Sequence, residues 1–124
     1  MDMITLLKPS AAMSFMFWSV HNEPFVQIIG WMPASAQYPS SKSAVNMLTA
    51  MYAKELRDTP IKVNAANPGY CATDFNGNSG FRTPAQGAEA SVHLATLPDD
   101  GPTGILWGDL WTAGGSGSYG TLAW

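Results

Sequence analysis

The chain has 124 residues, 46% of them hydrophobic, with 9 acidic and 6 basic side chains, a net charge of −3 and one cysteine. That length suits one hydrophobic core rather than two, and the scattered lysines and arginines leave no electrostatic footprint for nucleic acid. A single cysteine forms no internal disulfide and offers no paired metal ligands, so a stapled secreted scaffold and a zinc module are both excluded, and the expected compartment is the cytoplasm.

Residues 3–8 read as the last turns of a helix stopped by Pro9, because proline disfavours helical geometry in the residue before it. Residues 13–20 and 25–31 are short, apolar and rich in aromatic side chains, the pattern of buried strands. The apolar run 11–20 with Ala34-Ser35-Ala36 beyond it has the outline of a signal peptide, but residues 1–8 carry one acid and one base instead of a positive leader. No stretch reaches the roughly 18 to 20 apolar residues that span a bilayer, so no membrane is expected as a partner.

From 40 to 57 there is neither glycine nor proline, and Ala44, Val45, Leu48, Met51, Tyr52 and Leu56 recur at helical spacing, which predicts a helix. Pro60 follows it, then a short strand over 61–66 running into the turn Asn67-Pro68-Gly69. The sequence Asn76-Gly77-Asn78-Ser79-Gly80 makes 70–81 a mobile surface loop by composition. Thr83 as N-cap and Pro84 at the first helical position open a second helix that runs to about Thr96. Asp99-Asp100-Gly101-Pro102 turns into a last strand over 104–108, and the Gly- and Ser-rich residues 111–124 read as a tail behind a domain of residues 1–110. Strand alternating with helix builds a parallel sheet with crossover helices, so the fold class is α/β.

Tyr38 and Lys42 lie four apart at the opening of the first helix, which puts both side chains on one face. A nearby ammonium favours a phenolate, so the pair is suited to acid–base work; an exposed helix-face pair has the same spacing. A literal Gly-x-Gly-x-x-Gly at 115–120 is rejected as a cofactor loop, because only four residues follow it where a helix must receive the pyrophosphate. His21 and His93 have no partner at ligand spacing, so no metal is expected. Cys71 has no histidine near it in sequence and reads as a buried spectator thiol, while Met47 and Met51 read as core or subunit-interface residues.

The run Tyr38-Pro39-Ser40-Ser41-Lys42-Ser43-Ala44-Val45-Asn46, followed by Ile61-Lys62-Val63-Asn64-Ala65-Ala66-Asn67-Pro68-Gly69-Tyr70-Cys71-Ala72-Thr73-Asp74, closely resembles the short-chain dehydrogenase/reductase family. The likeness joins a Tyr-x-x-x-Lys signature to a Pro-Gly turn with a threonine five residues after the proline, and it continues to about Asp109. It implies a partial Rossmann-like fold, the second half of a doubly wound parallel sheet. It also implies an NAD(P)(H)-dependent oxidoreductase interconverting a small carbonyl compound and an alcohol, with NADP or NAD as cofactor. By resemblance Tyr38 is the catalytic proton donor and acceptor, Lys42 binds the nicotinamide ribose and assists the tyrosine, and Pro68, Gly69, Cys71 and Thr73 form the turn at the nicotinamide.

The family position of Cys71 often carries Val or Ile. Ser14 is the candidate for the family's substrate-orienting serine, in an eroded segment that also holds Ser19 and has Phe15 where a second serine stands in the family. Residues 21–37 resemble an insertion of carbonyl-reductase-like members. The family's N-terminal glycine-rich phosphate turn, first strands and Asn-Ala-Gly segment have no counterpart in the sequence. The resulting alternative is a catalytically inactive remnant that acts as an oligomerising or interaction module, and a homo-oligomer is expected on either reading.

Overall fold

The computed structural model describes residues 4–5, 12–16, 36–110 and 118–122. In chain order they form β1 (Ile4–Thr5), β2 (Ala12–Met16), α1 (Gln37–Glu55), β3 (Lys62–Asn67), a 3-10 turn (Asp74–Asn76), α2 (Pro84–Ala95), β4 (Leu106–Asp109) and β5 (Tyr119–Leu122). The strands make one sheet in the order β1-β2-β3-β4-β5. β2, β3 and β4 are parallel, and antiparallel β1 and β5 flank them.

Helix α1 starts earlier than the Gly- and Pro-free run because Pro39 falls in its first turn, where the backbone N–H groups have no helical acceptor to lose. The Ser41 hydroxyl donates to the Tyr38 carbonyl at 2.7 Å and braces the same turn. Helix α2 opens as its sequence predicts. Thr83 Oγ1 accepts from the Gln86 N–H at 3.2 Å, and Gln86 Oε1 accepts in return from the Thr83 N–H at 2.8 Å, a reciprocal cap ahead of Pro84.

The central strand β3 is buried from Val63 to Asn67, as expected of a parallel strand with a helix on each face. Successive residues point to opposite sides. Ala65 packs with Leu106 and Val45 of α1, whereas Ala66 packs with Ala90 and Leu94 of α2. The two helices therefore cover opposite faces, which is the doubly wound arrangement. The polar members of the strand are paired across to the β4 side. Asn64 Nδ2 donates to the Pro102 carbonyl at 3.0 Å and Asn64 Oδ1 accepts from the Ile105 N–H at 3.1 Å.

Two expectations are corrected. Ile4 and Thr5 pair antiparallel with Phe15 and Ser14, so they form a strand rather than the end of a helix; two β-branched residues show no periodicity from which strand could be read. Residues 119–122 are a strand rather than tail, and Gly120 of the glycine-rich hexapeptide lies within it, opposite Gly108. What secures this strand is nonlocal: the Tyr119 ring stacks on Trp107 with centroids 5.3 Å apart. The expected strand over 25–31 and the stretch 111–117 lie outside the described residues. The 70–81 loop is present, but it is cross-tied by one side chain. Asn76 Oδ1 accepts from the Thr73 N–H at 3.1 Å and Asn76 Nδ2 donates to the Cys71 carbonyl at 2.7 Å. Among the described residues no helix is long and apolar enough to cross a membrane.

Candidate active site

The direction of α1 decides where its opening turn lies. Val45 packs over Ala65 and Leu106 at mid-sheet, while a Cβ on Gly104, just before β4, would meet Ala53 Cβ at 3.1 Å. The helix thus runs against the strands, and its N-terminal turn points past their carboxyl ends. From Val45 back to Tyr38 is about 10 Å of helix rise. From Ala65 forward to Pro68 is about 10 Å of strand. Tyr38 and the Pro68–Gly69 turn are therefore level with each other at the carboxyl edge, the edge at which open α/β sheets bind ligands.

At that edge Tyr38 and Lys42 are placed one helical turn apart, and the Lys42 ammonium sits over the Tyr38 ring, 5.4 Å from its centroid. The packing that stacks residues four apart on a helix therefore brings together a phenol and a positive charge.

The turn itself is fixed from below. Gly69 has φ of 73°, a left-handed conformation that disfavours any side chain, and its N–H donates to Asn67 Oδ1 at 3.2 Å. Asn67 Nδ2 in turn donates to the Asp109 carbonyl at 2.9 Å, tying the end of β3 to the end of β4. Thr73 is extended and precedes the 3-10 turn. Cys71 is half-buried against α2, where a Cβ on Gly87 would lie 2.3 Å from its Sγ. Burial raises the Cys71 thiol above its ordinary value, with the Arg82 charge opposing less strongly, so the sulfur is held as a neutral thiol and not as a nucleophilic thiolate.

Beneath the turn lies a cluster that the sequence patterns did not single out. Arg82 Nη2 donates to Asp109 Oδ1 at 2.8 Å, with both side chains buried, 4% and 1% exposed. The other Nη donates to the Tyr119 hydroxyl, which itself donates to the Gln86 carbonyl at 2.6 Å. Burial opposes the charge on Arg82, but the hydrogen bond and negative charge of Asp109 outweigh it and hold the guanidinium protonated. Burial raises the Tyr119 phenol, the Arg82 charge only partly countering it, so the hydroxyl keeps the proton it donates. The signal available in the sequence was an acid at the end of an apolar strand, a position where a charge needs a buried partner.

Ser14 is not brought to this edge. It lies in register with Asn64, about 13 Å short of the turn along the strand direction, while Ser19 lies outside the described residues. His93 stacks on Trp107 with centroids 3.9 Å apart, on the face covered by α2, and His21 lies outside the described residues. Among the described residues no group of three or more His, Cys, Asp or Glu side chains is placed to hold a metal ion.

Residues 29–82 match the family model described as short chain dehydrogenase. The chain is 38% identical over 78 residues to (+)-neomenthol dehydrogenase of Capsicum annuum, covering 63% of this chain and 24% of that protein. It is also 38% identical over 81 residues to carbonyl reductase (NADPH) 1 of Sus scrofa, covering 60% of this chain and 27% of that one. The solved structure of salutaridine reductase from Papaver somniferum superposes with a TM-score of 0.56 at 34% identity, over 68% of this chain and 28% of that chain. The chain thus spans about a quarter of the length of the curated relatives it matches. A signature pair, a family model and reductase relatives coincide on one stretch of sequence, and over that stretch the chain is similar to the short-chain dehydrogenase/reductase family.

Proposed function

We propose that this chain supplies the proton-transfer and nicotinamide-facing part of an NAD(P)(H)-dependent reductase that interconverts a small carbonyl compound and its alcohol. What supports the reading is that the Tyr38–Lys42 pair and the Pro68–Gly69 turn lie level with each other at the carboxyl edge of one sheet. The residues there fit a reduced or oxidised nicotinamide nucleoside: Lys42 offers ammonium donors to ribose hydroxyls, and the extended Thr73 segment and the Pro68–Gly69 turn offer backbone to the ring. The cofactor, when bound, supplies or takes the hydride.

In the reducing direction the Tyr38 hydroxyl gives its proton to the carbonyl oxygen as negative charge develops there, and the Lys42 charge favours the phenolate left behind. In the oxidising direction the same phenolate takes the proton of the alcohol. Cys71 packs the turn, its Sγ donating to the Pro68 carbonyl at 3.6 Å. The test is loss of the reduced-nicotinamide absorbance when a small ketone or aldehyde is added to the chain with NADPH or NADH. Turnover supports the reading; a folded chain that neither turns over nor binds either nucleotide contradicts it.

We infer further that the chain associates through α1. Met47, Leu48, Met51 and Tyr52 form an exposed apolar face, Met47 being 62% exposed, and apolar area of this kind is stabilised by covering it. Sedimentation velocity is expected to show a dimer or larger species, and a clean monomer at tens of micromolar would count against association.

A further inference from the structure

We propose that Arg82 and Asp109 are positioning residues, whose buried ion pair sets the path of the Pro68–Gly69 turn and with it the backbone surface offered to the nicotinamide. This rests on the cofactor reading above for its functional consequence, but its structural content stands independently of it.

The first observation is where the pair sits. A Cβ built on Gly69 would lie 2.5 Å from Asp109 Oδ2, 2.8 Å from Arg82 Cδ and 2.9 Å from Arg82 Nε, so the two side chains enclose the turn at its left-handed residue. The backbone of Arg82 holds the next residues of the chain: its N–H donates to the Tyr70 carbonyl at 3.2 Å, and its carbonyl accepts from the Ala72 N–H at 2.8 Å. A single residue thereby clamps position 69 with its side chain and positions 70–72 with its main chain.

The second observation is that the pair is not arranged for its own satisfaction. Arg82 Nε and Asp109 Oδ2 are buried without a hydrogen-bond partner among the described residues, and both face Gly69. A buried ion pair contributes little net stability compared with apolar residues of the same volume, the more so when two of its polar atoms are left unmatched. Stability alone therefore gives no reason for it here, whereas shape around the turn does.

The third observation is that the guanidinium has no freedom to leave. It is held by Asp109 on one side and by the Tyr119 hydroxyl on another, and it lies over the Tyr119 ring, 4.4 Å from the centroid. Tyr119 is fixed in turn by the Gln86 carbonyl of α2 and by stacking on Trp107 of β4. The late strand β5 thus bears on the proposed nicotinamide edge through this contact, and its role there is to steady Arg82.

The test uses the full chain and the double variant R82M/D109L, which removes both charges together and leaves neither uncompensated. Three quantities are read: the thermal midpoint, amide hydrogen exchange at Gly69 and Ala72, and NADPH affinity. A midpoint close to that of the parent chain is expected, with exchange at Gly69 and Ala72 faster by about tenfold while Ala66 and Leu94 stay protected. NADPH affinity is expected to fall by about tenfold.

Unchanged exchange at both amides in the folded double variant overturns the proposal, as does unchanged NADPH affinity where the parent chain binds. If the parent chain binds no NADPH yet the exchange changes as expected, the clamp stands and the cofactor reading fails, which keeps the two apart. Should the double variant not fold, Arg82→Lys decides. It keeps the charge but loses the planar fork, and it is expected to fold and to show the same faster exchange at Gly69 and Ala72. Parent-like exchange in that variant overturns the proposal.

Discussion

Tyr38→Phe is expected to lower carbonyl turnover by about 10²- to 10⁴-fold, the range supplied by a positioned general acid. The substitution isolates the chemistry because it removes one hydroxyl and keeps the ring. The Lys42 ammonium sits over the face of that ring, so its cation–π contact persists in the variant. Tyr38 lies in the first turn of α1, away from the Val63–Asn67 core, and the change in folding stability is expected to stay within about 0.5 kcal/mol. Nucleotide affinity is expected to hold as well, because Lys42 and the turn are untouched. Steady-state turnover of the parent and variant chains, beside their denaturant unfolding curves, measures both halves. Parent-like turnover in Tyr38→Phe removes this hydroxyl from the proton path.

The largest effect on stability is expected from Asp109→Ala. It leaves the Arg82 guanidinium buried with its carboxylate gone, a change that costs about 3–5 kcal/mol where a buried pair is broken from one side. Small domains have a total stability of only about 5–15 kcal/mol, so a large part of the folded margin is expected to vanish. The hydrogen bond from Asn67 survives, because its acceptor is the Asp109 main-chain carbonyl, and the loss therefore reports the carboxylate side chain rather than the main-chain tie. Denaturant unfolding of Asp109→Ala, of Arg82→Met and of the double variant R82M/D109A completes a thermodynamic cycle. The double variant is expected to be more stable than either single one. A single-variant loss below about 1 kcal/mol would contradict the picture of a fully desolvated pair.

The parts of the fold legible in the sequence are those set by local chemistry. The Thr83–Pro84–Gln86 pattern marks the start of α2 because a hydroxyl, a pyrrolidine ring and an amide each satisfy a particular need of a helix N-terminus. The Gly- and Pro-free run marks α1, and Asn67-Pro68-Gly69 marks the turn whose third residue takes a left-handed conformation. Tyr38 and Lys42 are legible because helical spacing alone puts them on one face.

The parts missed depend on residues far apart in the chain. Tyr119 belongs to a strand because Trp107, Arg82 and Gln86 receive it, and nothing within residues 115–122 announces those partners. The Arg82–Asp109 pair bridges 27 positions and has no local signature beyond an acid ending an apolar strand. The short β1 is defined only by its pairing with Phe15 and Ser14. Ser14 shows the opposite case: the residue type fits the family's serine, but strand register places it level with Asn64 instead of at the edge where Tyr38 opens its helix.

The proton path, and the functional consequence of the clamp on the turn, require that Tyr38–Lys42 and Pro68–Gly69 flank one nucleotide site. The most direct test is titration of the isotopically labelled chain with NADPH and with NADH, observed through its backbone amide resonances. Saturable shifts are expected within residues 38–42 and 69–73 on a single binding curve, with amides of the distant α1 terminus near Glu55 unmoved. Saturable binding that leaves both of those segments unshifted, or a folded chain that binds neither nucleotide, would contradict a shared site.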